Sequence, residues 1–468
     1  MVRDGDSGVG RGRRWFLKRA GLAAAAGTGV AALGPAEVSD ATRPTAVRAL
    51  DVRSFGARGD GATDDRAAIQ AAFDAAAARS GGTVFLPPGD YVVSGPITPR
   101  SSTLIAGSHS PRYGSDPDPP SACKIRARRD FDGDGLVVGA PEARGVTLRN
   151  LALVGDGAGR GVHGIRMPDD GEVEGEQGWS LDGVTIAGFS GDGIHGRVWV
   201  WTIAGSHIHD NAGWGIDASG GDSWTDAYVH DTMIYFNRSG GVRFDGSGVS
   251  GLVHFVNCRF ERSGGRASDP GSPYNPSAPG VRLTSGKRLL FANCSTDANM
   301  GNGFEVEAVG DLPVTRLAGI HVVNCSFGRD GTGDQREQGE FAGVKISGAS
   351  SAVATHGANE MTFSNCTVTT GKAADDESGQ VVGPKYGVWF ENTRHFQWVG
   401  GFVAGETAPF HTGRGGNDRP TLVSVAQGMA TLPLDRPAAA VDGMTYVDQA
   451  AGRLMVRVGG AWRSTPLR

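Results

Sequence analysis

The sequence predicts an all-β fold: a single-stranded right-handed parallel β-helix with an N-terminal capping helix and a small C-terminal β-hairpin module. Three observations predict it. Glycine fills 75 of the 468 positions, about twice its usual share of ~7 %, with no G-X-Y period that would make a collagen. A strand ending in Asn-Cys recurs at Asn257-Cys258, Asn293-Cys294, Asn324-Cys325 and Asn365-Cys366, in steps of 36, 31 and 41 residues. A second phrase, glycine-apolar-any-apolar, alternates with it at Gly164, Gly241, Gly280, Gly303, Gly343 and Gly387, and more loosely at Gly193 and Gly215. Strands this short, with turns this dense and no helices between them, exclude a doubly wound α/β fold. The recurrences predict about eight rungs, each adding one strand to a common face.

Composition sets the outer limits. Hydrophobic residues make up 39 % of the chain and charged residues 20 %, enough for a packed core. A net charge of -5 gives no support to a nucleic-acid or polybasic membrane partner. The five cysteines contain no CxxC pair, which argues against a zinc ribbon or redox motif, and their odd number argues against a full disulfide framework.

The elements follow in chain order. Arg13-Arg14-Trp15-Phe16-Leu17-Lys18 precedes a weakly apolar, acid-free stretch from Ala20 to Gly34. That arrangement reads as a twin-arginine-type export signal with its linker over residues 1–42, and predicts a secreted or cell-surface protein. The apolar stretch is too short for an ordinary membrane span, so none is expected in the mature protein. Residues 51–97 start and cap the coil. Thr63 or Asp64 is placed to cap a helix, Ile69, Phe73 and Ala76 recur at helical spacing, and Gly81-Gly82 ends it. Thr83 to Leu86 reads as a buried strand and Pro87-Pro88-Gly89-Asp90 as a turn.

This segment closely resembles the N-terminal signature of the pectate-lyase-like superfamily, which also holds rhamnogalacturonase-like, epimerase-like and tailspike-like proteins. The residues that carry the resemblance are Phe55-Gly56-Ala57, Gly59-Asp60-Gly61, Thr63-Asp64-Asp65, Ala68-Ile69-Gln70, Gly81-Gly82-Thr83-Val84 and Pro88-Gly89-Asp90-Tyr91. The resemblance implies that this part covers the open end of the coil. Asp60, Asp64 and Asp65 are then turn and cap residues, not catalysts.

The coil itself is expected over 98–404. Asn and Asp tolerate the left-handed backbone of a sharp bend, so the Asn-Cys phrase marks successive corners. Asn150, Asp182 and Asp231 are expected at the same corner in earlier rungs. The cysteines after the corner then stack inside as small apolar groups. Residues 405–442 read as a linker, and 443–468 as a hairpin module that caps the coil, binds a surface or makes a homo-oligomer.

Side chains alternate across a strand, so the middle residue of each glycine phrase faces outward. Stacking the rungs lines up Arg166, His195, Asp217, Arg243, Arg282, Glu305, Lys345 and Trp389, about 4.8 Å apart. Such a face suits a polysaccharide: Arg166, Arg282, Glu305, Lys345 and Trp389 are the candidate substrate-binding residues. Arg243 next to Arg282 is a costly like-charge pair unless an anion bridges it, which points to an acidic polymer. Asp217 and Asp245 lie roughly 8 Å apart by rung and residue spacing, within the inverting range of glycoside hydrolysis. They are the candidate acid and base, with His195 one rung away to orient Asp217. If the chain is a lyase, the resemblance makes Arg243 or Arg282 a candidate base and calcium a candidate cofactor; otherwise no cofactor is required. The acidic loop of Asp169, Asp170, Glu172, Glu174 and Glu176 reads as solvated. His207 and His209 share a strand face but lack a third ligand, so no metal site is assigned.

The catalytic sets of the superfamily's better-marked branches do not transfer. No Asn-x-Asp stands in suitable context before the Asp-Asp and His-Gly pairs, no Arg-Ile-Lys follows them, and the Asp-Pro-His of the uronan epimerases is absent. The expectation is an exported glycoside hydrolase or polysaccharide lyase acting on a uronate-containing polymer. The alternative is a non-catalytic glycan-binding or tailspike-like surface protein. Insertions at 262–279 and 369–384 are placed to wall the charged face.

Overall fold

The structure, a computed structural model, describes residues 49–111, 121–155, 158–167, 176–219, 224–245, 251–264, 275–308, 317–331, 340–348, 358–372, 381–413, 421–426, 429–431, 445–448 and 453–466. The expected export signal, Asp169, Asp170, Glu172 and Glu174, and much of the 262–279 and 369–384 insertions lie outside the described residues. No described helix is long and apolar enough to cross a membrane.

Short strands coil through three long parallel sheets, here called A, B and C. One rung shows the path. His254–Val256 lies in sheet A, Arg259–Glu261 in sheet B and Val281–Leu283 in sheet C, and Leu290–Ala292 returns to sheet A. Each strand pairs in register with its counterpart one rung on, as Phe255 does with Phe291 and Phe260 with Thr296. This is a right-handed parallel β-helix, the hand that parallel crossovers take almost without exception.

Alternation turns one residue of each strand inward, where like side chains stack. Phe255 and Phe291 stack at 4.9 Å and 3°, and Phe363 and Trp398 at 5.2 Å and 10°. All four are almost wholly buried, and burying a side chain of this size contributes roughly 1.5–3 kcal/mol.

The corner between sheets A and B is two residues long because one of them takes a left-handed backbone. Asn150, Asp231, Asn257, Asn293, Asn324 and Asn365 all have φ between 51° and 55°. Some bond along the stack: Asn257 donates to Asp231 at 3.1 Å, and Asn365 to Asn324 at 2.9 Å. Asp182 departs from expectation. It is the last residue of its strand, and Gly183 takes the bend instead. The cysteines that follow are buried and unbridged. Their thiols donate to carbonyls of the preceding rung, as Cys258 does to Val229 at 3.3 Å. Neighbouring thiols and burial push Cys294 and Cys325 up to about 12, so neither is a thiolate nucleophile at neutral pH.

A second corner ladder, inside the protein, closes sheet B. After left-handed Asp210, Phe236, Arg262, Ala298 and Arg329 come Asn211, Asn237, Ser263, Asn299 and Asp330, all buried. Asn211 donates to Asn237 at 2.9 Å, Asn299 donates to the Phe260 carbonyl at 2.9 Å, and Asn299 donates to Asp330 at 2.8 Å.

The ends need three corrections. The capping helix spans Arg66–Ala77 and buries Ile69, Phe73 and Ala76, but Thr63 and Asp64 belong to a strand, Asp60–Asp64, paired with Gly89–Val93. Gly89 and Asp90 thus open a strand, leaving Pro87-Pro88 as the turn. Residues 405–442 are no plain linker: Ala408–Thr412 adds a strand to sheet C and Thr421–Ala426 one to sheet A, so the coil runs past residue 404 and sheet C holds ten strands among the described residues. Asp65 is buried and accepts the Arg58 and Gly59 N–H groups at 2.6 and 2.9 Å, while Asp64 accepts that of Arg66 at 3.2 Å; both serve structure. The C-terminal module is a three-stranded antiparallel sheet of Thr445–Asp448, Arg453–Val458 and Ala461–Pro466.

Most rungs pass from sheet A to sheet B in two residues, whereas the chain runs from Glu261 to Val281 and from Thr369 to Tyr386 before it reaches sheet C. A long connection also joins sheets A and B, between Gly107 and Cys123.

Candidate functional site on sheet C

The outward column of sheet C is in register. Arg166 lies opposite His195, His195 opposite Asp217, Asp217 opposite Arg243, and Arg243 opposite Arg282. Glu305, Lys345, Trp389 and His411 continue it. The structure therefore gathers all eight ladder residues on one face and adds His411.

The cations are already matched. Arg243 donates from Nε and Nη2 to the two oxygens of Asp217 at 2.8 and 2.7 Å, and Arg282 from Nη2 to Glu307 at 2.5 Å. The chain's own carboxylates thus relieve the Arg243–Arg282 repulsion, and that ground for an acidic ligand falls away. The same bonds change the reading of the carboxylate pair. Asp217 is buried, and Arg243 reaches from it towards Asp245, with Nη1 3.6 Å from Oδ2, so no open acid and base confront each other across that diagonal. Burial of Arg243 disfavours its charge, but its bonds to Asp217 raise its affinity for the proton on balance, so it stays a cation and is no base.

Two residues that the phrase pattern did not mark complete a half-buried network. Asp192 stands in the turn before His195, and His163 opens the preceding strand. His195 Nδ1 lies 2.7 Å from Asp192 Oδ2 and 3.3 Å from Asp217 Oδ2. His163 Nδ1 accepts the Asp192 backbone N–H at 2.9 Å, and Asp192 Oδ1 accepts that of Trp214 at 2.6 Å. A backbone this close needs glycine: a Cβ at Gly213 would fall 2.1 Å from Asp192 Oδ1, and one at Gly191 2.8 Å from His163 Nδ1. Burial opposes charge on Asp192, yet its hydrogen bonds with His195 and the Trp214 N–H hold the carboxyl below its usual range. Burial likewise opposes charge on His195, but hydrogen bonds to Asp192 and Asp217 carry it up to about 9. At neutral pH it is an imidazolium. Buried charge on an outward face is what functional sites show, although structural ion pairs also perturb titration.

His163, Asp192 and His195 are also the one trio of metal-ligating type among the described residues. The two rings stack at 4.3 Å with 25° between planes. Ring lone pairs lie in the ring planes, so those of near-parallel stacked rings do not converge on one ion. His207 and His209 join no such trio; His209 bonds Asp210 at 2.7 Å and stacks on Tyr235.

Further along, Glu305 forms no ion pair among the described residues, and burial raises its affinity for the proton. The ammonium of Lys345 lies 5.0 Å over the Trp389 indole, and His411 stands at right angles to that ring at 4.7 Å. Trp389 is thus engaged along the ladder and does not lie open as a flat platform.

Comparison with known proteins places these features. Residues 49–141 match a family described as rhamnogalacturonase A/epimerase, pectate lyase-like, and residues 172–397 match one described as right-handed beta helix region. Two mannuronan C5-epimerases of Azotobacter vinelandii, AlgE2 and AlgE5, are 35 % and 33 % identical over 181 residues. That stretch is 36 % of this chain and 18 % of either relative, so less than a fifth of their length is matched. The solved A-module of mannuronan C5-epimerase AlgE4 from the same organism superposes with a TM-score of 0.54 at 20 % identity, covering 78 % of this chain and 99 % of the module. That of AlgE6 gives 0.52, also at 20 %, covering 81 % and 99 %. At such identity the likeness is one of fold. The two matched families, the three-sheet coil and its N-terminal cap agree: the chain belongs to the pectate-lyase-like superfamily of right-handed parallel β-helix proteins.

Proposed function

We propose that the protein modifies a uronate-containing polysaccharide on the outer face of sheet C, by removing the proton beside a sugar carboxylate, as a lyase or an epimerase does. It works outside the cytoplasm, as the Arg13-Arg14 segment leads one to expect. The observation that carries the reading is the half-buried network of His163, Asp192, His195, Asp217 and Arg243 within an in-register polar ladder, on a face bordered by long loops. Hydrolysis is less well supported, because it asks for two working carboxylates and Arg243 bonds both oxygens of buried Asp217, leaving only Asp245 of the expected pair. The sequence relatives that are mannuronan C5-epimerases favour the same chemistry.

Within this reading, Asp192 and Asp217 hold His195 in its charged form, and the imidazolium stabilises negative charge developing on the substrate. Asp245 is the proposed proton acceptor. Its carboxylate is 43 % exposed, stands beside the network and is fixed by the Thr284 hydroxyl at 2.9 Å. Arg166, Arg282, Glu305 and Lys345 hold the polymer along the ladder.

The test is turnover of purified protein on polymannuronate, polyguluronate and polygalacturonate in deuterated water. A lyase gives unsaturated uronates with new reducing ends, an epimerase gives deuterium at the inverted carbon without either, and Asp245→Asn abolishes both. New reducing ends without unsaturation or deuterium would establish hydrolysis and overturn the reading.

A further inference from the structure

The two stacked histidines have their Nδ1 atoms turned inward and committed. A backbone N–H can only donate, so the Asp192 amide at 2.9 Å fixes His163 Nδ1 as an acceptor. Neutral His163 then carries its proton on Nε2. His195 gives its Nδ1 proton to Asp192 and, as an imidazolium, carries a second on Nε2. Neither Nε2 is bonded within the described residues, and each side chain keeps some exposure, 15 % for His163 and 20 % for His195. With ring centres 4.3 Å apart and planes nearly parallel, the chain shows two N–H donors side by side, one of them charged.

We propose that His163 and His195 form an oxyanion clamp that takes the carboxylate of one uronate unit, one N–H to each oxygen. This rests on the proposed function and deepens it by naming what holds the reacting sugar. The chemistry fits. Two donors with one full charge match a singly charged, planar, two-oxygen anion, and charge-assisted bonds of this kind are the stronger ones. Drawing electron density from that carboxylate acidifies the neighbouring C–H bond, so the clamp both binds and activates. Asp192 serves both rings at once, accepting from His195 and presenting its backbone N–H to His163, so a single turn residue sets the spacing. The charged and titratable groups around His195 are Asp192, Asp217 and His163, with Arg243 behind Asp217 and Arg166 one rung away.

The experiment measures binding apart from turnover. Full-length protein is titrated with trigalacturonate and trimannuronate, and with the same trimers after carboxyl reduction, by calorimetry at pH 7. Ring nitrogens are followed by nitrogen-15 magnetic resonance. Wild type should prefer the uronates at least tenfold, and their binding should shift both Nε2 resonances. His163→Phe and His195→Phe keep a ring in the stack but remove a donor. Each should lose roughly tenfold or more for the uronates and nothing for the reduced trimers. His195→Gln, which keeps an N–H without the charge, should fall between. Affinity should also decline as pH rises through about 9, where His195 is neutralised.

Equal binding of charged and reduced trimers, no uronate binding, unmoved Nε2 resonances, or Phe variants that keep wild-type circular dichroism and wild-type affinity would each overturn the clamp. Selective uronate binding without turnover of any polymer would leave the clamp standing and remove the proposed reaction.

Discussion

Asp330 gives the sharpest handle on the fold. Its carboxyl is wholly buried at the end of the internal ladder, with Asn299 donating to Oδ1 from the backbone at 3.2 Å and from Nδ2 at 2.8 Å, and Thr296 Oγ1 2.5 Å from Oδ2. Burial pushes it from 3.8 up to about 7, against the pull of those hydrogen bonds. The folded protein therefore keeps a proton that the unfolded chain gives up near pH 3.8. Stability from this group is fully present below pH 3.8, drains away as pH rises towards 7, and is flat above. At about 1.36 kcal/mol for each pH unit between those limits, the loss is about 4 kcal/mol. Asp330→Asn removes the titration and keeps the bonds, since an amide accepts from Asn299 through oxygen and donates to Thr296 through nitrogen. Urea unfolding followed by tryptophan fluorescence should give nearly equal midpoints for wild type and variant at pH 4. At pH 8 the variant should be the more stable by up to about 4 kcal/mol. His195, whose stabilising contribution is lost between pH 6.5 and about 9, titrates in both proteins and cancels from the difference. Parallel profiles across the range would refute the reasoning.

Two further outcomes test the network and the corners. Arg243→Met should cost about 3 kcal/mol by leaving Asp217 buried without its main partner, and adding Asp217→Asn should recover most of that in a double-mutant cycle; additive losses would show that the pair does not act as a unit. Asn293→Ala should cost about 1 kcal/mol because its φ of 54° is unfavourable for a side chain with no polar atom, whereas Asn293→Gly should be nearly neutral; equal losses in urea midpoint would rule out the left-handed corner as the reason for asparagine.

The face was legible because its signal is local and repeated. The glycine of the repeated phrase stands second in a sheet C strand or just before it, the residue two places on from it is the outward one, and Arg166 through Trp389 fell into register from that rule alone. The first Asn-Cys corner was legible for the same reason. The centre was harder to read. His163 precedes its glycine and has the parity of an inward residue, while Asp192 belongs to a turn, where alternation says nothing; only the folded backbone, brought close by Gly191 and Gly213, joins them to His195. Pairing was also invisible: spacing placed Asp217 near Asp245 but could not show that Arg243 would bind the first and reach towards the second. The internal ladder did have a signal, a polar residue two places after each sheet B strand from Asn211 to Asp330. It was missed because Asn, Ser and Asp share no single letter, unlike the repeated Asn-Cys. The 405–442 strands escaped because neither phrase marks them.

In-register stacking makes the coil a ruler. From His195 to Trp389 there are six pairings, about 29 Å at the spacing of parallel strands. Both corner ladders and the face repeat with the rung, so gain or loss of one whole turn by recombination would shift the far end by about 4.8 Å and disturb no pairing elsewhere. Reach along a polymer could then drift over generations in fixed increments, while the histidine centre stayed as it was.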